Sequence, residues 1–194
     1  MDSRIYQVEF IPDKHEYWYT EGNIHKRLHG VTGAIGKLLG KSFPDTVLVQ
    51  AATIYGSDVH KEVENYYNSN SKILSSDGAK WVVEYLEQFK LKHFVNKIEC
   101  EVMVSDFEGT ASKIDVVVRT DVGSYIFDIK TTSHFDRAYC SLQLSVYKKL
   151  YEHNYGENVL GMYVLGTKSK RAFRILEQED YKVEKILNMN NRGE

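Results

Sequence analysis

Hydrophobic and polar residues alternate along the first twenty positions of the chain. The alternating hydrophobic positions are Tyr6, Val8, Phe10, Tyr17 and Tyr19. A period of two is typical of a β-strand that buries one face, and Pro12 and Asp13 interrupt the pattern as turn residues do. The sequence therefore opens with a predicted β-hairpin.

Three segments with hydrophobic residues at helical spacing follow the hairpin, at residues 31–39, 45–67 and 78–94. The apolar positions of the second segment are Tyr55, Val59, Val63 and Tyr67. Four-residue spacing places side chains on one face of a helix, and an internal glycine such as Gly56 weakens the helix locally. We predict single helices over 31–39 and 78–94, and either two helices or one bent helix over 45–67.

Segments rich in Val and Ile come next, at residues 97–104, 110–119 and 124–130, separated by short turns that contain Gly109 and Gly123. Such a run predicts an antiparallel three-stranded meander. The remaining pattern predicts a helix at 136–151, strands at 159–166 and 172–176, and a final amphipathic helix. Strands that alternate with helices indicate an α/β fold with a central mixed β-sheet flanked by helices.

Composition limits the class of protein. A chain of 194 residues with 42% hydrophobic content suits one globular domain over residues 1–194, of which 1–40 form the N-terminal hairpin and helix. The sequence has no apolar run long enough for a membrane span and no signal-peptide pattern, so we expect a soluble, cytoplasmic protein. Two cysteines predict neither a disulfide framework nor an iron-sulfur cluster.

The net charge of −2 gives the whole molecule no general attraction for nucleic acid. If the protein binds DNA, local basic groups must contact the phosphate backbone. The candidates are Lys168, Lys170 and Arg171, although such a run can also be ordinary solvated surface.

The segment from Glu101 to Lys130 has the strongest chemical signal. Asp128 and Lys130 are two apart in a predicted strand, so both side chains point to the same face. A tight turn at residues 121–123 would place Asp115 opposite Asp128. Glu101 would lie opposite Lys113 and on the same face as Asp115, which makes Glu101 a possible third carboxylate.

Two aspartates that face each other destabilise a sheet unless positive charge lies between them. Mg²⁺ or Mn²⁺ is suited to this role because such ions prefer oxygen ligands. Lys130 could then orient or activate an attacking water and stabilise charge on a phosphate. An exposed sheet face with simple cross-strand ion pairs explains the same spacing, and that alternative stays open.

Two helical segments add polar groups at four-residue spacing. His60 and Glu64 lie one turn apart on one side of the second predicted helix, and imidazole can be a metal ligand. Gln143 and Tyr147 share a face of the helix that follows the meander. Each pair by itself is also compatible with a purely structural role.

The order of these motifs resembles the RecB-type and phage-exonuclease branch of the PD-(D/E)XK nucleases. The resemblance extends from Gly56 to Tyr147: a Gly-x-x-x-His-x-x-x-Glu helix, a strand ending in Ile-Asp, a strand ending in Asp-x-Lys-Thr, and Gln-x-x-x-Tyr on a helix. It implies a restriction-endonuclease-like fold with its catalytic motifs within residues 56–147. The residues that it implies are His60, Asp115, Asp128 and Ile129 for the metal, Lys130 for hydrolysis, Gln143 and Tyr147 for shaping the site, and Glu64 in support.

The resemblance implies a Mg²⁺- or Mn²⁺-dependent DNA nuclease, most simply an exonuclease of replication, recombination or repair encoded by a phage. DNA is the expected partner, together with a helicase or a single-strand-binding protein, while the oligomeric state is open. The alternatives are a catalytically silent DNA-binding or assembly module and a structure-selective endonuclease. Ser112 departs from the family pattern, which often has glycine three residues before the motif aspartate.

Overall fold

The computed structural model of the protein describes residues 1–40, 47–69 and 71–191. Its strands are β1 (Val8–Ile11), β2 (Glu16–Glu21), β3 (Ile24–Gly30), β4 (Val95–Ser105), β5 (Thr110–Thr120), β6 (Gly123–Lys130), β7 (Val159–Gly166) and β8 (Arg171–Ile175). Its α-helices are α1 (Val31–Leu38), α2 (Val47–Asn68), α3 (Asp77–His93), α4 (Arg137–Tyr155) and α5 (Asp180–Asn191). Short 3₁₀ helices cover Ser3–Gln7 and Pro12–Lys14.

The strands form one mixed sheet. The strand order is β1-β2-β3-β5-β6-β7-β8, and β4 pairs with β5 outside this path. Strands β3 and β5 are parallel, as are β6 and β7, whereas β4, β5 and β6 form the predicted antiparallel meander. The fold is therefore α/β, with a central mixed sheet.

The sheet contains a gap beside β5. Strand β4 pairs with β5 from residue 111 to residue 120, so it occupies one edge of β5 along almost its whole length. On the other edge, β3 pairs only with Thr110 and Ala111, and β6 pairs only from Val116 onward. Strand β3 ends beside Ala111, and the pairing of β6 with β5 ends at Val116. Residues 112–115 of β5 therefore have no strand partner on this edge and face an opening between β3 and β6.

Helices cover both faces of the sheet. Helices α1, α4 and α5 contribute to one hydrophobic cluster, and α2 and α3 contribute to a second cluster on the other side. Local sequence signals define the helix ends: the Ser76 side chain accepts a hydrogen bond from the Ala79 amide at the start of α3, and Gly156 ends α4 in the left-handed conformation. None of the described helices is both long and apolar enough to cross a lipid bilayer.

Most predicted elements are confirmed. Of the two alternatives for residues 45–67, the structure has a single helix, α2, from residue 47, and the first two positions of the segment lie outside the described residues. Two features differ from the prediction. Tyr6 belongs to a 3₁₀ helix rather than to the first strand. Strand β3 was not predicted, because residues 24–30 alternate poorly and only Leu28 is buried among them.

Candidate metal and catalytic site

A cleft of about 310 Å³ lies at the gap beside β5. The predicted site residues that line the cleft are His60, Glu101, Asp115, Asp128, Ile129, Lys130, Gln143 and Tyr147. They come from α2, β4, β5, β6 and α4, which are distant in sequence. The fold thus brings the catalytic and metal-ligand candidates to one place.

The turn between β5 and β6 sets the register of the two aspartates. Gly123 has φ 146°, and a Cβ atom there would lie 2.6 Å from the Asn158 carbonyl oxygen, so only glycine fits this turn without displacement. The last ladder pair is Val116 with Phe127. The next positions along the two strands are Asp115 and Asp128, in agreement with the predicted register.

Three potential ligands form a compact group. One ligand atom each from His60, Glu101 and Asp115 lies within 4.8 Å of the others, and no ion is part of the structure. His60 Nδ1 is 3.6 Å from Asp115 Oδ1. One imidazole nitrogen and two carboxylates are a donor set that can hold a divalent cation. The predicted set of metal ligands contains Asp128, whereas this group contains Glu101 instead.

The backbone of Ile129 orients two members of this group. The His60 Nε2 atom is 3.1 Å from the Ile129 carbonyl oxygen, and the Ile129 amide donates to Asp115 Oδ2 at 2.7 Å. A carbonyl oxygen can only accept, so Nε2 carries a proton, and Nδ1 is the ring nitrogen that faces Asp115. Ile129, which was expected among the metal ligands, here contacts the ligands themselves.

Asp128 is held beside the lysine. Its carboxylate is almost fully buried, and Lys130 Nζ lies 2.9 Å from its oxygens. Only Oδ1 has hydrogen-bond geometry, so Asp128 Oδ2 is a buried oxygen without a hydrogen-bond partner. A buried unsatisfied carboxylate oxygen is costly unless a cation or water completes its coordination. The Lys130 ammonium at 2.9 Å stabilises this oxygen in part, and the oxygen has capacity for a further ligand such as a water or an ion.

The electrostatics of the cleft show an excess of negative charge. Burial raises the pKa of Asp115, and Asp128 raises it further against the opposing effect of His60. Burial and the Asp115 charge likewise raise the pKa of Glu101. Burial acts to lower the pKa of Lys130, but the neighbouring Asp128 and Asp115 outweigh it and raise that pKa. The carboxylates thus stabilise any added cation.

Glu101 occupies an irregular point of the sheet. The pairs Cys100–Val116 and Val102–Ile114 place Glu101 at the level of Asp115, so the prediction that it lies opposite Lys113 is wrong. Its φ of 55° is in the left-handed region, which non-glycine residues rarely adopt. Such a conformation in the middle of a strand is a form of strain that clusters at functional sites.

Gln143 and Tyr147 support the lysine from α4. Lys130 Nζ donates to Gln143 Oε1 at 3.4 Å, and Gln143 Nε2 donates to the Tyr147 hydroxyl at 3.0 Å. The Ser112 hydroxyl donates to the same phenol at 3.0 Å. The departure from the family pattern at Ser112 therefore supplies a hydrogen bond that glycine could not make.

The other predicted residues lie outside the lining of this cleft. Glu64 pairs with Lys61 at 2.8 Å on α2. Lys168 lies with its ammonium group 4.5 Å from the centre of the Tyr55 ring, and Arg171 lies over Phe173. Lys168, Lys170 and Arg171 belong to the turn and start of β8, next to the end of β6, where Thr167 donates its amide to the Lys130 carbonyl.

The N-terminal strands contribute cleft residues that the motifs did not indicate. These additional lining residues are Phe10, His15, Tyr17 and Gly30, followed by Thr32 at the start of α1, while β5 itself adds Ser112 and Lys113. The alternation of Phe10 and Tyr17 predicted their strands, but no feature of the sequence links this hairpin to the carboxylates fifty or more residues later. Only the pairing of β3 with β5 brings it there.

Comparisons with known proteins add little to this geometry. No protein-family model matches the chain, and the search of curated proteins gives no matching relative. Among solved structures, the chain is similar to one described as "Crystal structure of SSO0001", with 16% sequence identity, a TM-score of 0.37 and coverage of 84% of each chain. A likeness at this TM-score carries no argument about fold or function.

Proposed function

We propose that this protein is a divalent-metal-dependent nuclease that hydrolyses phosphodiester bonds in DNA. The observation that supports it most is the convergence of His60, Glu101 and Asp115, with ligand atoms within 4.8 Å, beside the buried Asp128–Lys130 pair. Asp128 Oδ2, which has an ion pair with Lys130 but no hydrogen-bond partner, has capacity for a further ligand.

The donor set indicates how an ion would be held. His60 Nδ1, Glu101 and Asp115 would bind it, with Asp128 adjacent through its unsatisfied oxygen. When bound, Mg²⁺ or Mn²⁺ supplies Lewis-acid polarisation of a phosphate oxygen and lowers the pKa of water.

The chain's own residues perform the remaining tasks. Lys130, which Asp128 and Gln143 fix in position, donates hydrogen bonds to phosphate oxygens or water and stabilises the negative charge that develops on the phosphate. The Ile129 carbonyl holds Nε2 of the His60 imidazole, so that Nδ1 faces Asp115 and could offer its lone pair to an ion between them. Ser112 donates to Tyr147, which accepts from Gln143, and Gln143 in turn orients the lysine.

DNA as the substrate rests on the resemblance of the motif series to RecB-type and phage exonucleases. The turn with Lys168 and Lys170 lies beside the end of β6 and offers positive charge for a phosphate backbone. The proposed setting is the cytoplasm of a bacterial or phage-infected cell, with a helicase or a single-strand-binding protein as a further partner.

The test is degradation of linear DNA with Mn²⁺ by wild-type protein and by Asp128→Asn. We expect the substitution to reduce the cleavage rate by about 100- to 1,000-fold, because it removes a charge that orients Lys130 and faces the ion. Closed circular DNA, assayed in parallel, should survive if the enzyme needs an end.

The matched control is Asp121→Asn on the exposed β5–β6 turn, where the aspartate accepts a hydrogen bond from Asn96 at 2.7 Å. This variant should cleave at the wild-type rate. Undiminished cleavage by folded, highly purified Asp128→Asn protein would contradict the proposed function.

A further inference from the structure

The tip of the β1–β2 hairpin forms one wall of the cleft. The register pairs Phe10 with Tyr17, and the 3₁₀ turn Pro12–Lys14 ends at His15 in the left-handed conformation, with φ 52°. Phe10, His15 and Tyr17 all line the cleft. The hairpin thus directs three rings toward the carboxylates, although none of these rings belongs to the proposed hydrolytic machinery.

The rings differ in how far they are buried. Tyr17 is buried in the N-terminal hydrophobic cluster, whereas Phe10 is half-buried and His15 is exposed. The centroids of Phe10 and His15 are 5.2 Å apart and their planes are nearly perpendicular, at 89°. Two perpendicular rings on a cleft wall form a corner in which a planar base can stack on one ring and meet the edge of the other.

A cation lies between this corner and the carboxylates. Lys113 Nζ is 4.4 Å from the centre of the Phe10 ring and 3.5 Å from a Glu101 carboxylate oxygen. If Glu101 binds a metal ion, its charge is shared with that ion and the Lys113 ammonium is freer to contact a phosphate. The flexible lysine can leave the Phe10 ring without any change in the backbone.

We propose that Phe10, His15 and Lys113 form a subsite for one unpaired nucleotide next to the cleaved phosphate. The base would pack against the ring corner and its phosphate would contact Lys113, which makes single-stranded DNA or a frayed end the preferred substrate. A cleft of about 310 Å³ lies at the lower limit of small-ligand sites, a size that suits a single nucleotide. The inference rests on the proposed function for the phosphate's position, but base binding can be tested separately.

The test is a thermodynamic cycle between the protein ring and the base. Binding of a labelled single-stranded oligonucleotide is measured by fluorescence anisotropy with Ca²⁺ in place of Mn²⁺, for wild-type protein and Phe10→Leu. Each protein is also measured with oligonucleotides that carry one abasic position at successive places. Leucine keeps the apolar contact with Tyr17 but removes the aromatic face.

We expect Phe10→Leu to weaken binding of the ordinary oligonucleotide roughly 5- to 150-fold, the range for loss of one base–aromatic stack. The most sensitive abasic position should weaken wild-type binding by a similar factor, and the two changes together should cost no more than either alone. His15→Asn, which tolerates the left-handed conformation, should have a smaller effect in the same direction.

The matched control is Trp18→Leu. Trp18 stacks on His25 at 4.6 Å on the opposite face of the same hairpin, so binding should be unchanged. Lys113→Gln should reduce the slope of log affinity against log salt by about 0.7. Additive effects of Phe10→Leu and the abasic position would overturn the subsite. If the wild-type protein does not cleave DNA with Mn²⁺ but Phe10→Leu still weakens oligonucleotide binding, the proposed nuclease function is rejected and the subsite is retained.

Discussion

The β5–β6 hairpin carries charged clusters at both of its ends, and they are built in opposite ways. At the turn end, Arg119 contacts both Glu99, at 2.6 Å, and Glu157. Ser124 and Tyr151 donate to the same Glu157 oxygen at 2.6 and 2.8 Å. The carboxylates at this end therefore have a cation and several donors between them.

At the open end of the hairpin, three carboxylates lie close together and accept few hydrogen bonds from the protein. Asp115, Asp128 and Glu101 share Lys130, Lys113 and a histidine, and one Asp128 oxygen lacks a hydrogen bond. The pKa values reflect the contrast. Burial acts to raise the pKa of Glu157, but hydrogen bonds from Ser124 and Tyr151 and the charge of Arg119 lower it. The pKa of Asp115 is raised by burial instead.

The comparison contrasts a structural ion-pair network with the cluster that we propose as a ligand site. Both clusters use the same two strands and similar residue types, so composition does not distinguish them. What distinguishes them is whether the protein itself satisfies each carboxylate. The carboxylates at the turn end have their donors within the protein, and under the proposed function an added cation and a phosphate would supply what the open end lacks.

The first prediction removes one cation from each end. Lys130→Met should lower the cleavage rate by about 100- to 1,000-fold, because it removes a donor to the phosphate. Arg119→Met should leave the cleavage rate of the folded protein unchanged. It should instead lower the free energy of unfolding by about 2 kcal/mol, because Glu99 and Glu157 lose their partner. Denaturant unfolding and Mn²⁺-dependent cleavage are measured on both variants. Lys130→Met should lose mainly activity, and Arg119→Met should lose mainly stability.

A loss of activity in Arg119→Met as large as that in Lys130→Met would contradict the division between the two ends. Arg119→Lys serves as the matched control. It keeps the charge but cannot contact both glutamates with the same planar geometry, so its stability should fall between those of wild type and Arg119→Met.

The second prediction concerns how much the charged Asp115 carboxylate lowers the stability of the metal-free protein. The pKa of Asp115 is raised in the folded protein, so its protonated form adds stability below about pH 3.8, its unfolded value, and this stability is lost as pH rises through the folded pKa. Asp115→Asn should therefore raise the metal-free melting temperature at neutral pH by about 2–4 °C, equivalent to about 1 kcal/mol. The gain should disappear in acid. Thermal melting across this pH range with a chelator present checks it.

A lower melting temperature for Asp115→Asn at neutral pH would show that the carboxylate stabilises the metal-free fold, as Glu157 does. Glu157→Gln provides that comparison within the same hairpin. Because the pKa of Glu157 is lowered in the folded protein, its stabilising effect is present above its unfolded pKa, 4.5, and is lost as pH falls. Glu157→Gln should therefore lower the melting temperature at neutral pH.

Local patterns predicted much of this molecule. The β5–β6 register followed from the turn before Gly123, and the four-residue spacing of Gln143 and Tyr147 placed both on the inner face of α4. Regular periodicity is what such predictions detect. The irregular positions escaped them: Glu101 adopts φ 55° and lies level with Asp115, two residues from the predicted register.

Long-range contacts also could not be predicted from the sequence patterns. The short β3–β5 pairing, at His29 and Gly30, brings Phe10 and His15 to the cleft, and two ladder pairs leave no recognisable pattern. The proximity of Glu101 to His60 likewise depends on how α2 packs against β4. Motif order indicated which residues to examine, but only the folded chain shows that Glu101 joins His60 and Asp115.

Calorimetric titration with Mn²⁺ tests the central claim most directly, because it measures the ion at the open end without any DNA. Wild-type protein should bind one ion with a defined enthalpy, Asp115→Asn should lose this binding, and Glu157→Gln at the turn end should retain it. Equal Mn²⁺ binding by wild-type protein and Asp115→Asn would contradict the account, since the site described here would then not be where the ion binds.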